Sequence, residues 1–147
     1  MEEYKFKTTP YAHQREAFVL SAEKKVYALL MDMGTGKTKV VIDTMAFNFE
    51  ETLKELSSPS PGKMKFLLMN VESFSSKKGV GVAEYFIKNF KVFMAVDEST
   101  TIKNRQAKRT KSISKLGLGA RYRRILTGSP VTRSPLDLYS QMNFLDE

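Results

Sequence analysis

Met33-Gly34-Thr35-Gly36-Lys37-Thr38 stands between an apolar run at residues 26–31 and a long helical pattern that begins at Thr38. A strand that leads into a glycine turn and out into a helix is the setting a phosphate-binding loop requires. The glycines let the backbone curl so that successive N–H groups converge on phosphate oxygens, and the start of the helix adds the positive end of its dipole. Lys37 then reaches the β- and γ-phosphates of a nucleotide, and the Thr38 hydroxyl is placed to ligate Mg²⁺. The loop departs from the general GxxxxGKT spacing at its first position, where Met31 stands for glycine. A chance Gly-Lys-Thr turn is the alternative, and the flanking strand and helix argue against it.

Outward from this loop, apolar runs alternate with helical patterns. Residues 11–21, entered through Thr9-Pro10, read as a short helix. Residues 26–31 read as a strand buried on both faces. From Thr38 the helical pattern of Val40, Val41, Thr44, Phe47, Leu53 and Leu56 runs to about Ser57, where Ser58-Pro59-Ser60-Pro61-Gly62 breaks it. Strands are expected at residues 65–70, 92–96 and 122–127, and helices at 82–90, 105–116 and 136–145. That alternation implies a three-layer α/β fold, a parallel sheet flanked by helices.

Composition sets the frame. At 147 residues the chain is the size of one domain, which buries roughly 70% of its unfolded surface. With 41% hydrophobic residues it is globular in composition, and no run approaches the ~20 apolar residues that span a bilayer. The acidic start Met1-Glu2-Glu3 is unlike a signal peptide, so a cytoplasmic location and no membrane association are expected. Absence of cysteine excludes disulfides and thiolate metal sites, and the single histidine, His13, leaves little for a zinc centre. The net charge of +8 points to a polyanionic partner. It is concentrated: residues 103–124 hold nine basic side chains and no acidic one.

Two further motifs carry chemistry. Val92-Phe93-Met94-Ala95-Val96-Asp97-Glu98 is an apolar strand ending in two carboxylates, at the end of a strand where α/β sheets bind ligands. Asp97 there would hold Mg²⁺, mostly through water, and Glu98 would orient and deprotonate the attacking water. Leu126-Thr127-Gly128-Ser129-Pro130 closes the last strand with small hydroxyl residues on a glycine turn, able to sense a γ-phosphate and pass the signal on. Each alone is an ordinary strand end; the phosphate loop upstream turns the pair toward function.

In this order the three motifs resemble helicase superfamily two, specifically its Swi/Snf-like ATPases and their phage relatives. Pro10-Tyr11-Ala12-His13-Gln14-Arg15 looks like the segment in which that family recognises adenine, which gives the role to Gln14. The acidic box Asp97-Glu98-Ser99-Thr100 is followed by Lys103-Asn104, as in the family, and Ser129 replaces the threonine of Leu-Thr-Gly-Thr-Pro. The resemblance implies a RecA-like P-loop NTPase lobe over residues 1–147. It implies the ATP-binding, weakly ATP-hydrolysing N-terminal lobe of a Swi/Snf-like DNA helicase or translocase. ATP and Mg²⁺ are the cofactors implied. The ATP set comprises Gln14, Met33, Gly34, Thr35, Gly36, Lys37 and Thr38; the metal set, Thr38 and Asp97. Lys37, Asp97 and Glu98 carry catalysis, and Thr127, Gly128 and Ser129 carry coupling.

Two departures accompany it. The family's backbone-contacting strand and motif, between the loop helix and residues 65–70, have no counterpart, as though two helices had fused. The family's second lobe, which supplies arginines to the γ-phosphate, has none either. A catalytically degenerate nucleotide- or nucleic-acid-binding module is therefore the alternative. For double-stranded DNA the candidate contacts are Lys103, Arg105, Lys108 and Arg109, weighed evenly against a solvated face. A lost strand leaves unpaired backbone or an uncovered apolar face, so a homodimer is a further expectation.

Overall fold

Three apolar stretches pair as parallel strands: β1 (Val26–Leu30), β2 (Phe93–Val96) and β3 (Tyr122–Thr127), in the order β1-β3-β2. Parallel neighbours cannot be joined by a tight turn and need long crossovers, here supplied by helices. The computed structural model describes residues 4–55 and 62–146, residues 52–55 as helical backbone. It forms two compact units. One comprises the described parts of Met1–Lys24 and Gly34–Phe66; the other, Lys25–Met33 and the described part of Leu67–Glu147.

The sheet lies in the second unit with α3 (Lys77–Asn89), α4 (Lys108–Gly117) and α5 (Leu136–Leu145). Val96 on β2, Ile125 on β3, Ile113 and Leu116 on α4 and Phe144 on α5 meet in one core. On α4 the buried side chains Thr110, Ile113 and Leu116 recur every three residues, one face of a helix, while its lysines occupy the rest. Burying side chains of this size stabilises by about 1.5–3 kcal/mol each. Register then aligns the strand ends: Leu30 lies opposite Thr127 and Val96 opposite Ile125. The residues that follow β1, β2 and β3 consequently leave the sheet along the same edge.

In the first unit α1 (Ala12–Ser21) packs with α2 (Lys37–Glu55). Phe18 of α1 is stacked on Tyr4 and met edge-on by Phe6 and Phe47, with ring centroids 5.0–5.9 Å apart. Buried Asn48 of α2 donates to the Ala22 carbonyl at 3.1 Å, using an end-of-helix acceptor that would otherwise be orphaned.

Several expectations need correction. Residues 65–70 form no strand: they join no ladder of the sheet, with Phe66 63% and Leu68 91% exposed. Apolar content alone does not make a strand, because a strand exists through paired backbone groups, and of this run Met69 packs on the core. The sheet therefore has three strands among the described residues instead of four. Helix α3 starts at Lys77 instead of 82 because Ser76 caps it, its hydroxyl accepting from the Gly79 N–H at 3.1 Å. Helix α4 starts at Lys108 instead of 105 because Asn104 folds the preceding residues into a turn, accepting from the Gln106 N–H at 3.0 Å. The single helix expected after the glycine loop is present without interruption through Glu55; its expected end at Ser57 lies outside the described residues.

Candidate functional site

The loop of the first unit is built by glycine. Gly34 and Gly36 have φ of 75° and 79°, the left-handed region that other residues enter only at a cost. Lys37 then opens α2, so the loop empties directly onto a helix start, with the Lys39 N–H bonded to the Gly36 carbonyl at 3.0 Å. A Cβ at Gly36 would also push the Gln14 amide out of its place. Gln14 is buried and braces this loop: its Nε2 donates to the Thr35 carbonyl at 2.9 Å and its Oε1 accepts from the Tyr11 N–H at 3.1 Å. His13 Nε2 lies 3.0 Å from the same Thr35 oxygen. Lys37 is 9% exposed, whereas the Thr38 side chain is open to solvent.

The second unit gathers the other motifs at the shared strand edge. Asp97 and Glu98 follow β2 directly and both are exposed. One Asp97 oxygen accepts from the Glu98 N–H at 2.9 Å. Glu98 has φ 47° and ψ 57°, and among the described residues no other non-glycine residue has a positive φ. Such a conformation costs about 1–3 kcal/mol and persists where surrounding contacts over-determine it. Thr127 ends β3 fully buried, its hydroxyl accepting from the Ser129 N–H at 3.2 Å. Gly128 passes so close to the exit of β1 that a Cβ would sit 3.2 Å from the Met33 N atom.

The basic segment is divided by the fold. Arg109 is held as a strut, giving Nη1 to both Glu72 oxygens at 2.8 and 3.0 Å and Nε to the Thr101 carbonyl at 3.2 Å. Lys103 donates to the Thr132 hydroxyl, and the Arg105 guanidinium lies over the Tyr139 ring at 5.4 Å. Arg124 is 0% exposed, with the Phe93 ring 5.0 Å away, and burial lowers its pKa to about 10. The remaining DNA candidate, Lys108, lines an open cleft of about 490 Å³ with Lys77, Lys111, Ser76 and Ser112, in which Glu84 is the acidic member. Sequence order did not reveal Lys77, because the residues it joins lie on a different helix.

Sequence reading also missed two buried or bonded organisers on α5. The Asp137 carboxylate accepts from the Thr132 hydroxyl and from the N–H groups of Thr132, Arg133 and Ser134. Those bonds, the Thr132 hydroxyl foremost, hold its pKa down to about 2. Gln141 bonds Ser99 and the Pro130 carbonyl. The signal for Gln141 was a polar residue three and four positions before core-facing Phe144 and Leu145.

Residues 79–147 match the SNF2-related domain family. No curated protein matches the chain significantly. Among solved structures, the SWI2/SNF2 ATPase core of Sulfolobus solfataricus, in complex with dsDNA, superposes with a TM-score of 0.70 at 23% identity. The alignment covers 99% of this chain and 37% of that one, so the chain spans just over a third of that protein's length. Asp97, Glu98 and the 126–130 motif fall inside the family match, and the glycine loop lies outside it. The chain is thus matched over residues 79–147 by the SNF2-related domain and along its length by the RecA-like fold of the SWI2/SNF2 ATPase core.

Proposed function

We propose that residues 1–147 form the ATP-binding, weakly hydrolysing N-terminal lobe of a Swi/Snf-like DNA helicase or translocase. The observation that carries this reading is the loop itself: two left-handed glycines that deliver the chain onto the N-terminus of a 19-residue helix at Lys37. A glycine turn that opens directly onto a helix start is the setting in which backbone N–H groups and the helix dipole favour phosphate oxygens, so a triphosphate suits this loop. The Thr38 hydroxyl and the Asp97 carboxylate are hard oxygen ligands of the kind Mg²⁺ takes.

Mg-ATP, when bound, brings the γ-phosphoryl group for transfer to water and a divalent charge that offsets the phosphate oxygens. Lys37 binds the β- and γ-phosphates as a point charge. Glu98, exposed to solvent at the strand edge, orients the attacking water and takes its proton. Gln14 has used one N–H and one oxygen lone pair on Thr35 and Tyr11, which leaves one of each. A donor beside an acceptor is what the N7 and N6 edge of adenine pairs with. Thr127, Gly128 and Ser129 report the state of the γ-phosphate to the rest of the lobe.

Titration with a fluorescent ATP analogue, with and without Mg²⁺, followed by phosphate-release kinetics, tests the reading. Magnesium-dependent binding followed by slow release is expected. Failure to bind would leave the degenerate module as the reading of this fold. For DNA we propose the cleft of Lys77, Lys108 and Lys111 as a backbone contact, in place of the run from Lys103 to Arg109; the similar ATPase core was solved with dsDNA.

A further inference from the structure

Ser99, immediately after the acidic pair, is 0% exposed, and its hydroxyl donates to Gln141 Oε1 at 2.6 Å. The same amide, on α5, donates through Nε2 to the carbonyls of Pro130 at 2.7 Å and Asp137 at 2.8 Å. Carbonyl oxygens only accept, so the amide nitrogen must face them and the amide oxygen must face Ser99. Both N–H donors are thereby used, and Gln141 is itself 0% exposed. One side chain therefore links the turn after β2 to the end of the motif after β3. The turn it holds is the one that keeps Glu98 at φ 47°: Ser99 opens a short 3₁₀ turn (Ser99–Ile102) in which the Thr101 N–H bonds the Glu98 carbonyl at 2.9 Å.

We propose that Gln141 is a positioning residue for hydrolysis: it fixes the turn on which Glu98 stands and joins it rigidly to the 127–130 loop. The proposal rests on the reading of Glu98 as the general base. No isostere substitutes for it. Leucine or methionine leaves the Ser99 hydroxyl and the Pro130 carbonyl without their partner, and a carboxylate faces two carbonyls with no donor.

The test uses the purified 147-residue chain and the variants Gln141→Leu, Ser99→Ala, both together, and Ile113→Val as a core control away from the clasp. Affinity is read with the fluorescent ATP analogue and hydrolysis in single turnover with protein in saturating excess over ATP, below each variant's melting temperature. Gln141→Leu and Ser99→Ala should each bind within about twofold of the parent. Each should lose roughly tenfold to a hundredfold in rate, the range that displacement of a reacting group by about an ångström produces. The double variant should be no slower than Gln141→Leu, because both changes break one link. Ile113→Val should melt lower yet turn over normally per folded molecule. A folded Gln141→Leu with parental rate, or losses that multiply in the double variant, overturns the clasp alone. Should Gln141→Leu not fold, Ser99→Ala decides, and an unchanged rate overturns the proposal. A parent that binds ATP but does not hydrolyse it overturns the positioning role, whereas one that binds no nucleotide overturns the ATPase reading as well.

Discussion

In the reading proposed above, Lys37 and Glu98 divide the chemistry between binding and turnover, and single substitutions separate the two. Lys37→Ala removes a charge and its donors beside a triphosphate, and charge-assisted bonds contribute about 1.5–3 kcal/mol. ATP affinity should fall roughly ten- to a hundredfold in the titration; unchanged affinity would end the phosphate-loop assignment. Glu98→Gln keeps shape and removes the base, so binding should stay within about twofold while phosphate release is suppressed by a factor of about 10²–10⁴. Survival of both steps would strip Glu98 of its role. These motifs were legible in the sequence because they are local: Gly34, Gly36, Lys37 and Thr38 are nearly contiguous, and Asp97-Glu98 closes an apolar run. Gln141 was not, since its partners Ser99 and Pro130 lie 42 and 11 residues away. A glutamine in an otherwise apolar helix announces burial but not what it bonds.

Helix α4 shows how an element redistributes charge that the sequence places in a row. Arg109 faces Glu72 and Thr101, Lys108 and Lys111 line the cleft with Lys77 of α3, and the strand residue Arg124 is interred. Duplex binding should therefore depend on the three lysines. Changing Lys77, Lys108 and Lys111 together to glutamine should flatten the plot of log K against log salt by about 0.9 for each phosphate that is no longer neutralised. Fluorescence anisotropy over a salt series with duplexes of unrelated sequence checks this, and an unaltered slope would return the cleft to a solvated face. Arg109→Gln should instead lower the melting temperature with little change in that slope. On α5 the sign of a pH effect follows from Asp137, whose folded pKa of about 2 lies below the ordinary 3.8. A depressed carboxyl contributes stability that is full above about pH 4 and is lost as the pH falls toward 2. Asp137→Asn should melt lower than the parent at neutral pH, and the difference should shrink across that window in a thermal scan; a constant difference would mean the carboxylate is not what orders the 132–134 turn. The strand expected at 65–70 failed for a reason periodicity cannot see, as pairing depends on a neighbour's edge rather than on the run's own apolarity. Nothing among the described residues supports the pairing with a second copy that was expected from the sequence.

At the scale of the whole molecule, the fold shared with the SWI2/SNF2 core covers 37% of that chain. The fold class was legible because strand and helix patterns recur along the sequence, and the parallel pairing of β1, β3 and β2 is what sends the residues that follow each strand off the same edge of the sheet. In the reading proposed here, residues 1–147 are one lobe of a two-lobed motor. A step along DNA requires that two lobes change their relative position between nucleotide states, since hydrolysis by itself moves nothing. An arginine delivered to the γ-phosphate contributes roughly 10³–10⁵ in rate in the NTPases that use one. The isolated 147-residue polypeptide should accordingly hydrolyse ATP slowly, with little stimulation by DNA, although it retains Lys37, Thr38, Asp97 and Glu98. It should displace neither a strand from a duplex nor a third strand from a triplex. Phosphate release with and without duplex, beside a triplex-displacement assay, measures both expectations on one preparation. Slow, DNA-insensitive release without displacement is the signature of a competent but unassisted lobe. Robust ATP-dependent displacement by the monomeric polypeptide would instead require residues 1–147 to contain a complete mechanical cycle, and the one-lobe reading would have to be abandoned.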